Sequence, residues 1–226
     1  PKVRLRVLGM GVETASRAPK QQNSHLLYKV RLREWLVAQW REHAQVDRRP
    51  RVVECFGPWQ EMWARVWSRC AEYLGADGDN AERWLGDHAL GELDLFDLDP
   101  YGSPWPCIAV IGRRATAPTI GIVATDGALR AEAKYRGKCP GVLAREFGWD
   151  FHDHALAASV YLHYPRFARA AIERLTRRPM LAYAVSPYGR RAVMYWATLL
   201  GAPDSSRCDH PATAEIVECE LSASSC

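Results

Sequence analysis

Residues 95–130 of this 226-residue chain read LFDLDPYGSPWPCIAVIGRRATAPTIGIVATDGALR, and this stretch decides the fold. Apolar residues alternating with acids over 93–100 predict a strand that ends at an Asp-Pro pair. The spacing predicts a helix over 106–115, and the apolar run 119–127 predicts a fully buried strand that ends in Thr-Asp-Gly. A helix between two strands, the second of them buried on both faces, is typical of a parallel α/β sheet.

The remaining sequence continues this alternation. The spacing of apolar residues predicts three further helices and, between the first two of them, a short strand. These predictions cover residues 24–45, 59–74 and 151–175 for the helices and 51–57 for the strand. Residues 179–200 read as two alternating strands around a Ser-Pro-Tyr-Gly turn. We therefore expect a mostly parallel sheet with a C-terminal antiparallel hairpin at one edge.

Composition limits the class of protein. The chain is 48% hydrophobic and 25% charged, which is typical of one soluble globular domain with short appendages. We divide it into an N-terminal arm and helix (1–47), a core (48–200) and a polar tail (201–226). The chain contains no run of eighteen apolar residues, so no membrane span is predicted. Its net charge of +4 is only mildly basic. We expect a cytoplasmic protein.

Cysteine usage agrees with that compartment. The seven cysteines form no CxxC pair and are expected to be reduced thiols. Cys208, His210, Cys219 and Cys226 gather near the C-terminus, but their spacing fits no standard zinc pattern, so a loose tail is the favoured interpretation and no metal is expected.

Acids close to glycines follow three of the predicted strands. Ligands of open α/β sheets bind outside the carboxyl ends of the strands. A helix cap or a turn would explain any one of these acids alone. Acids at three corresponding strand ends predict one shared crevice. The acids are Glu54, Asp97 with Asp99, and Asp126.

The Asp99-Pro100-Tyr101-Gly102 sequence has the chemistry that methylation of an aromatic exocyclic amine needs. Such an amine is a poor nucleophile because its lone pair is conjugated into the base. The Asp99 carboxylate and the Pro100 carbonyl could accept its two N–H groups and orient the nitrogen for attack. Tyr101 could stack on the base, and Gly102 allows close approach to the backbone.

The stretch 95–130, which contains these residues, closely resembles the methyltransferase core of the tRNA (guanine-N2-)dimethyltransferase family. That family has an Asp-Pro-aromatic-Gly-Ser-Pro motif, a helix, and a strand that ends in Thr-Asp-Gly or a near variant. A looser resemblance extends over 154–168 and 181–195. It implies a Rossmann-like class I methyltransferase fold, S-adenosylmethionine as cofactor, and guanine N2 in tRNA as acceptor.

The resemblance also implies roles for individual residues. Asp99 would be the catalytic acceptor, with Pro100 and Tyr101 lining the base pocket and Asp126 bordering the substrate. The residues that correspond to the family's cofactor loop and adenine-facing turn are Glu54, Gly57, Asp79, Asn80 and Ala81. The segment 23–31 is only faintly similar to the family's cofactor-covering segment, and no residue is carried over from it.

The chain departs from the family in two ways. Its cofactor loop keeps a single glycine, Gly57, and only about 22 residues separate it from Asp79, which is short for another strand-helix unit. The strand whose terminal acid normally holds the cofactor ribose is therefore expected to be missing, with Glu54 or Asp77 as possible substitutes. The family's C-terminal RNA-binding domain has no counterpart in these 226 residues.

A basic loop directly after Asp126 is the predicted site of phosphate binding, at the mouth of the crevice. Its cations are Arg130, Lys134, Arg136 and Lys138. We expect RNA as the partner. Three alternatives remain open: an adenine-N6 methyltransferase of nucleic acid, a non-catalytic nucleic-acid-binding remnant of the fold, and a small-molecule methyltransferase. Salt-sensitive binding to RNA would argue against the last.

Overall fold

A computed structural model describes residues 26–55, 62–70, 72–75, 81–100, 103–127, 141–147, 150, 152–186, 193–203 and 219–220. Its strands are β1 (Arg51–Glu54), β2 (Glu72–Gly75), β3 (Leu95–Leu98), β4 (Ile120–Asp126), β5 (Met180–Val185), β6 (Met194–Leu200) and β7 (Cys219–Glu220).

The helices lie between and before these strands. They are α1 (Leu26–Ala44), α2 (a π-helical segment, Trp63–Trp67, that continues as Ser68–Cys70), α3 (Ala81–Asp87), α4 (Trp105–Arg114), α5 (Gly141–Phe147), α6 (His154–Leu162) and α7 (Tyr164–Thr176). Among the described helices, none is both long and apolar enough to cross a membrane.

The strands form one seven-stranded sheet in the order β2-β1-β3-β4-β6-β5-β7. The neighbours from β2 to β4 are parallel, whereas β6 runs antiparallel to both β4 and β5. The expected α/β fold, mostly parallel with a C-terminal antiparallel hairpin on one side, is confirmed. The short strand β7 pairs with β5 beyond that hairpin.

Helices cover both faces of the sheet and divide the core in two. On one face α1 and α2 pack against side chains that include Val52, Leu95 and Val123. On the other face α3, α4, α6 and α7 bury a larger cluster around Phe96 and Ile122. Because side chains alternate along a strand, each central strand contributes to both clusters.

The expected loss of a strand is wrong. Residues 59–74 were predicted to form one helix, but the helix ends at Cys70, and Glu72–Gly75 forms β2, parallel to β1 at the sheet edge. The backbone N–H of Glu72 donates to the Pro50 carbonyl at 2.8 Å. The helical spacing of apolar residues continues into residues 72–75, which is why a helix was predicted there. The backbone of these residues instead hydrogen-bonds to β1, and local periodicity cannot reveal such a pairing.

The predicted helix over 151–175 is two helices, α6 and α7, which meet at His163. Pro165 lies in the first turn of α7, where its missing N–H removes no hydrogen bond from that helix. It would, however, interrupt one continuous helix, because residue 165 could not donate to the preceding turn. The break places Tyr164 at the start of α7, where it is fully buried.

A candidate active site at the carboxyl edge of the sheet

The topological switch point of the sheet lies between β1 and β3. From β1 the chain moves outward to β2 and then returns to the other side of β1 to form β3. In sheets of this kind the crevice outside the carboxyl ends at the switch point is where ligands bind. Glu54 ends β1 and pairs in register with Asp97 of β3, and Asp99 follows two residues later. The switch point is therefore lined with carboxylates.

Two basic residues of α1, Lys29 and Arg33, form ion pairs with Asp99 and Asp97. We call these two successive ion pairs the rungs of an ion-pair ladder between α1 and β3. Nζ of Lys29 lies 2.8 Å from each carboxylate oxygen of Asp99. One helical turn later, Arg33 binds Asp97 through two parallel hydrogen bonds, Nε to Oδ2 at 2.7 Å and Nη2 to Oδ1 at 2.5 Å. Four helical residues rise about 6 Å and two strand residues about 6.6 Å, so the two spacings match when α1 runs antiparallel to β3.

The Arg33–Asp97 rung is the more deeply buried of the two. Arg33 is 1% and Asp97 0% exposed, and Nε1 of Trp67 in α2 also donates to Oδ2 of Asp97, at 2.9 Å. Nη1 of Arg33 donates to the Lys29 carbonyl at 2.9 Å. A buried charge is tolerated when its hydrogen-bonding groups are satisfied in this way. This rung joins α1, α2 and β3 directly beneath the candidate site.

Asp99 is the accessible member of the ladder. Its side chain is 19% exposed, whereas that of Lys29 is 5% exposed. Burial raises the pKa of Asp99, but the charges of Lys29 and Arg33 outweigh this effect and hold that pKa below its usual value. Burial lowers the pKa of Lys29, and the charge of Asp99 offsets only part of that change. Asp99 is thus an ionised hydrogen-bond acceptor at neutral pH.

The ring of Tyr195 in β6 completes the surroundings of Lys29, whose Nζ lies 5.3 Å from the ring centroid. Burial, together with the charge of Asp99, raises the pKa of Tyr195 to about 12. The phenol therefore stays protonated at neutral pH. Its negative ring face adds an attraction for the ammonium group.

Glu54, predicted to bind the cofactor, is 1% exposed at the end of β1. Its Oε2 accepts a hydrogen bond from the Tyr73 hydroxyl of β2 at 2.6 Å. Burial and the neighbouring carboxylate raise the pKa of Tyr73, so this hydroxyl remains a donor. The strand that was expected to be missing thus supplies the partner that orients Glu54.

The structure does not bring all the predicted acids to one face of the sheet. Asp126 ends β4 and is fully buried on the face opposite α1, where the Tyr164 hydroxyl donates to its Oδ2. It lies at the carboxyl edge, as predicted, but among the helices of the larger core. Trp105, the first residue of α4, is 0% exposed, and its ring centroid lies 6.0 Å from that of Trp196, so it belongs to the core.

Other predicted site residues divide between described and undescribed parts of the chain. Pro100 and Ala81 are buried, at the end of β3 and the start of α3. The remaining ones lie outside the described residues: Gly57, Asp79, Asn80, Tyr101, Gly102, Arg130, Lys134, Arg136 and Lys138, as does Asp77, the suggested substitute. Within the described part, no three His, Cys, Asp or Glu side chains are grouped as metal ligands would be.

Sequence reasoning missed Lys29 and Arg33. The buried stripe of α1 comprises Lys29, Leu32, Arg33, Leu36, Val37 and Trp40. Two cations therefore occupy positions that helical spacing assigns to the core. Such a stripe predicts buried acids on the element that it covers, and this was the available signal.

Comparison with known proteins gives little beyond this geometry. No protein-family model matches the chain, and no curated protein matches it either. Two solved structures resemble it weakly, both of a mutant 16S rRNA (adenine(1408)-N(1))-methyltransferase from Catenulisporales acidiphilia. The first has a TM-score of 0.34 at 11% identity and covers 75% of this chain and 93% of the other.

The second structure contains the cosubstrate S-adenosylmethionine. Its TM-score is 0.33 at 12% identity, and the match covers 74% of this chain and 91% of that one. TM-scores of this size establish neither a family nor an activity for this chain.

Proposed function

We propose that this protein is an S-adenosylmethionine-dependent methyltransferase that acts on an exocyclic amine of a purine in RNA, with guanine N2 in tRNA as the first candidate. The observation that carries the proposal is the position of Asp99 and Pro100. They follow β3 at the switch point, where an ionised, partly exposed carboxylate stands beside the backbone carbonyl of a proline. The resemblance of 95–130 to the guanine-N2 dimethyltransferases supports the same assignment.

Asp99 keeps capacity to accept an amine although Lys29 is bound to it. A carboxylate offers about four lone-pair sites on its two oxygens. The ammonium group of Lys29 approaches one edge of both oxygens, and the Thr125 hydroxyl also donates to Asp99, which leaves one site for an incoming N–H. An amine N–H could be accepted on the exposed edge and a second N–H by the Pro100 carbonyl. Because its pKa is depressed, Asp99 would orient the amine rather than store its proton.

The charge at the switch point fits a cationic cofactor. Three carboxylates (Glu54, Asp97 and Asp99) face two cations (Lys29 and Arg33), which leaves the cluster one charge negative when all are ionised. When bound, S-adenosylmethionine would supply an electrophilic methyl group on a positively charged sulfur. Glu54, held by Tyr73, would bind it at the end of β1, and Gly57, Asp79, Asn80 and Ala81 remain proposed contacts.

The first experiment is calorimetric titration of the purified chain with S-adenosylmethionine and S-adenosylhomocysteine. We expect micromolar affinity, which corresponds to about −8 kcal/mol. A folded sample that binds neither compound would contradict the proposal and favour a non-catalytic remnant of the fold.

The second experiment is transfer of a labelled methyl group to RNA. Asp99→Asn removes the charge but keeps the shape, so we expect turnover to fall at least 100-fold while cofactor binding persists. Asp47→Asn changes an exposed acid near the end of α1 and is the matched control. Wild-type turnover in Asp99→Asn would refute the role of Asp99. Nucleoside analysis of the product distinguishes guanine N2 from adenine N6, and ribonuclease treatment distinguishes RNA from a small-molecule acceptor.

A further inference from the structure

The outer side of α7 carries a row of arginines. Tyr164, Ala168, Ile172 and Leu175 are buried, and at 100° per residue the opposite side of the helix bears Arg166 and Arg177. Arg169 and Arg174 flank this line. Arg166, Arg174 and Arg177 are exposed. We call Arg166, Arg169, Arg174 and Arg177 the α7 basic row.

The α7 sequence holds one acid, Glu173, against the four arginines of the row, so the row keeps a net positive charge. Glu173 accepts a hydrogen bond from the backbone N–H of Met180 at 3.0 Å, which uses its carboxylate to fix the turn into β5. Arg178, which follows the row in sequence, is not part of it. Arg178 is 1% exposed and donates to the carbonyls of Ala115, Ala117 and Gly201.

Helix stability does not account for all of the row. Cations near a helix C-terminus are favoured by the helix dipole, which could explain Arg174 and Arg177. Arg166 lies in the first turn of α7, where the same dipole disfavours a positive charge. The helix dipole therefore does not explain Arg166, whereas attraction to a negatively charged ligand would.

The row begins at the carboxyl edge of the sheet, on the face opposite α1. Tyr164, two residues before Arg166, donates to Asp126 at the carboxyl edge of β4. From Arg166 to Arg177 the helix rises about 16 Å, toward the opposite edge of the sheet. There Gly112 near the end of α4 lies against the backbone of Leu175 and Thr176, which brings exposed Arg113 close to the end of the row.

We propose that the α7 basic row, extended by Arg113, binds the phosphate backbone of the RNA substrate and leads it to the carboxyl edge of the sheet. About 16 Å spans roughly five phosphates of a helical strand at 3.4 Å per nucleotide, and arginine is well suited to phosphate oxygens. This inference rests on the proposed function for the identity of the ligand. It assigns binding to residues other than those of the predicted 130–138 loop.

The test compares two triple variants of the full chain with equal loss of charge. Arg166→Gln/Arg174→Gln/Arg177→Asn alters the row, with Asn at position 177 because that residue has a positive φ of 53°, which Asn tolerates. Arg41→Gln/Arg65→Gln/Arg69→Gln removes three exposed arginines from α1 and α2, on the other face of the sheet.

Binding of a fluorescein-labelled tRNA transcript is measured by anisotropy from 50 to 200 mM salt. The row variant should bind about tenfold more weakly at 50 mM salt and lower the slope of log K against log salt by about 2, at roughly 0.7 per single-strand phosphate contact. The control variant should keep the wild-type slope. Equal effects of the two variants, or no RNA binding by the wild type, would overturn the proposal.

Titration of both variants with S-adenosylmethionine separates this inference from the proposed function. If RNA binding depends on the row but no form of the protein binds the cofactor, then the row is a nucleic-acid surface and the methyltransferase assignment fails. If the cofactor binds normally and the row variant binds RNA as tightly as the wild type, then only the surface assignment fails.

Discussion

Lys29 and Asp99, seventy residues apart in sequence, form a direct ion pair in which one ammonium nitrogen lies 2.8 Å from both carboxylate oxygens. The pair joins α1 to the residue that we propose holds the acceptor amine. Lys29 does not need to touch substrate to matter, because it fixes the direction and the charge of the Asp99 carboxylate. We therefore regard it as a positioning residue.

Lys29→Met should raise the pKa of Asp99. Burial raises that pKa, and the charge of Lys29 is the largest effect that opposes it. Without that charge, burial raises the pKa of Asp99 with less opposition. We expect an upward shift of the Asp99 pKa, measured by 13C NMR titration of its carboxyl group. The acid limb of the pH–rate profile for methyl transfer should move to higher pH with it.

The control for this experiment is Arg31→Met, which removes an exposed cation from the same helix. It should leave both the Asp99 titration and the acid limb unchanged. If Lys29→Met lowers activity at every pH without moving either titration, Lys29 is only a structural residue and its positioning role is wrong.

The same pair predicts how stability changes with acid. The pKa of folded Asp99 lies below its unfolded value of about 3.9. Asp99 therefore stabilises the fold above that value, and its contribution is lost as pH falls through the folded pKa. In Lys29→Met this contribution should shrink, so acid unfolding followed by circular dichroism should begin at higher pH than in the wild type. Coincident acid transitions would show that the Lys29–Asp99 pair contributes nothing to stability.

The buried Arg33–Asp97 pair should respond differently to loss of one partner and loss of both charges. Arg33→Met leaves the buried Asp97 carboxylate without its cation, and breaking such a pair costs about 3–5 kcal/mol. Arg33→Met/Asp97→Asn leaves no charge behind, and the Asn side-chain oxygen can still accept from Trp67. We expect urea unfolding to show the double variant to be more stable than Arg33→Met.

Exposed ion pairs of Arg51 give the scale for that comparison. Its Nε lies 3.0 Å from Glu72, and its Nη1 pairs with Glu92; the side chains of Arg51, Glu72 and Glu92 are 35%, 59% and 82% exposed. Arg51→Met should cost under about 1 kcal/mol, because solvent screens exposed pairs. A single-variant loss at Arg33 as small as the loss at Arg51 would show that the buried rung does not hold α1 on the sheet.

The central sheet could be predicted from sequence because its signals are local. The run 119–127 is apolar enough to predict a strand buried on both faces, and β4 is buried at every position. β2 was missed because four residues at a sheet edge carry little periodicity of their own. What makes them a strand is pairing with β1, about twenty residues away in sequence, and helical spacing in the preceding residues hides it.

The candidate site was predictable in part for the same reason. Glu54 and Asp99 follow apolar strands, and parallel strands bring their carboxyl ends together. The partners of Asp97 and Asp99 lie 64 and 70 residues earlier, on a helix whose spacing places both cations in its buried stripe. That spacing does not say which acids they meet, and only the packing of α1 on β3 shows it. Asp126 was placed at the correct edge, but alternation along β4 turns its side chain to the opposite face.

Gly112 should not tolerate a methyl group. A Cβ at this position would lie 2.6 Å from the Thr176 Cα and in direct conflict with the Leu175 carbonyl oxygen. Both obstacles are backbone at the end of α7, so relief requires α4 and α7 to separate. Gly112→Ala should lower the free energy of unfolding by about 1–3 kcal/mol even though alanine is the better helix former, and urea denaturation measures it.

Gly86→Ala in α3 is the matched variant, since a Cβ there meets nothing within 4 Å. Without a clash, the helix propensity of alanine should raise stability by up to about 1 kcal/mol. Opposite signs at the two glycines would establish that close contact between α4 and α7, and not propensity, decides residue 112. The contact also fixes where Arg113 lies relative to Arg177, so Gly112→Ala should weaken RNA binding by the α7 basic row more than Gly86→Ala does.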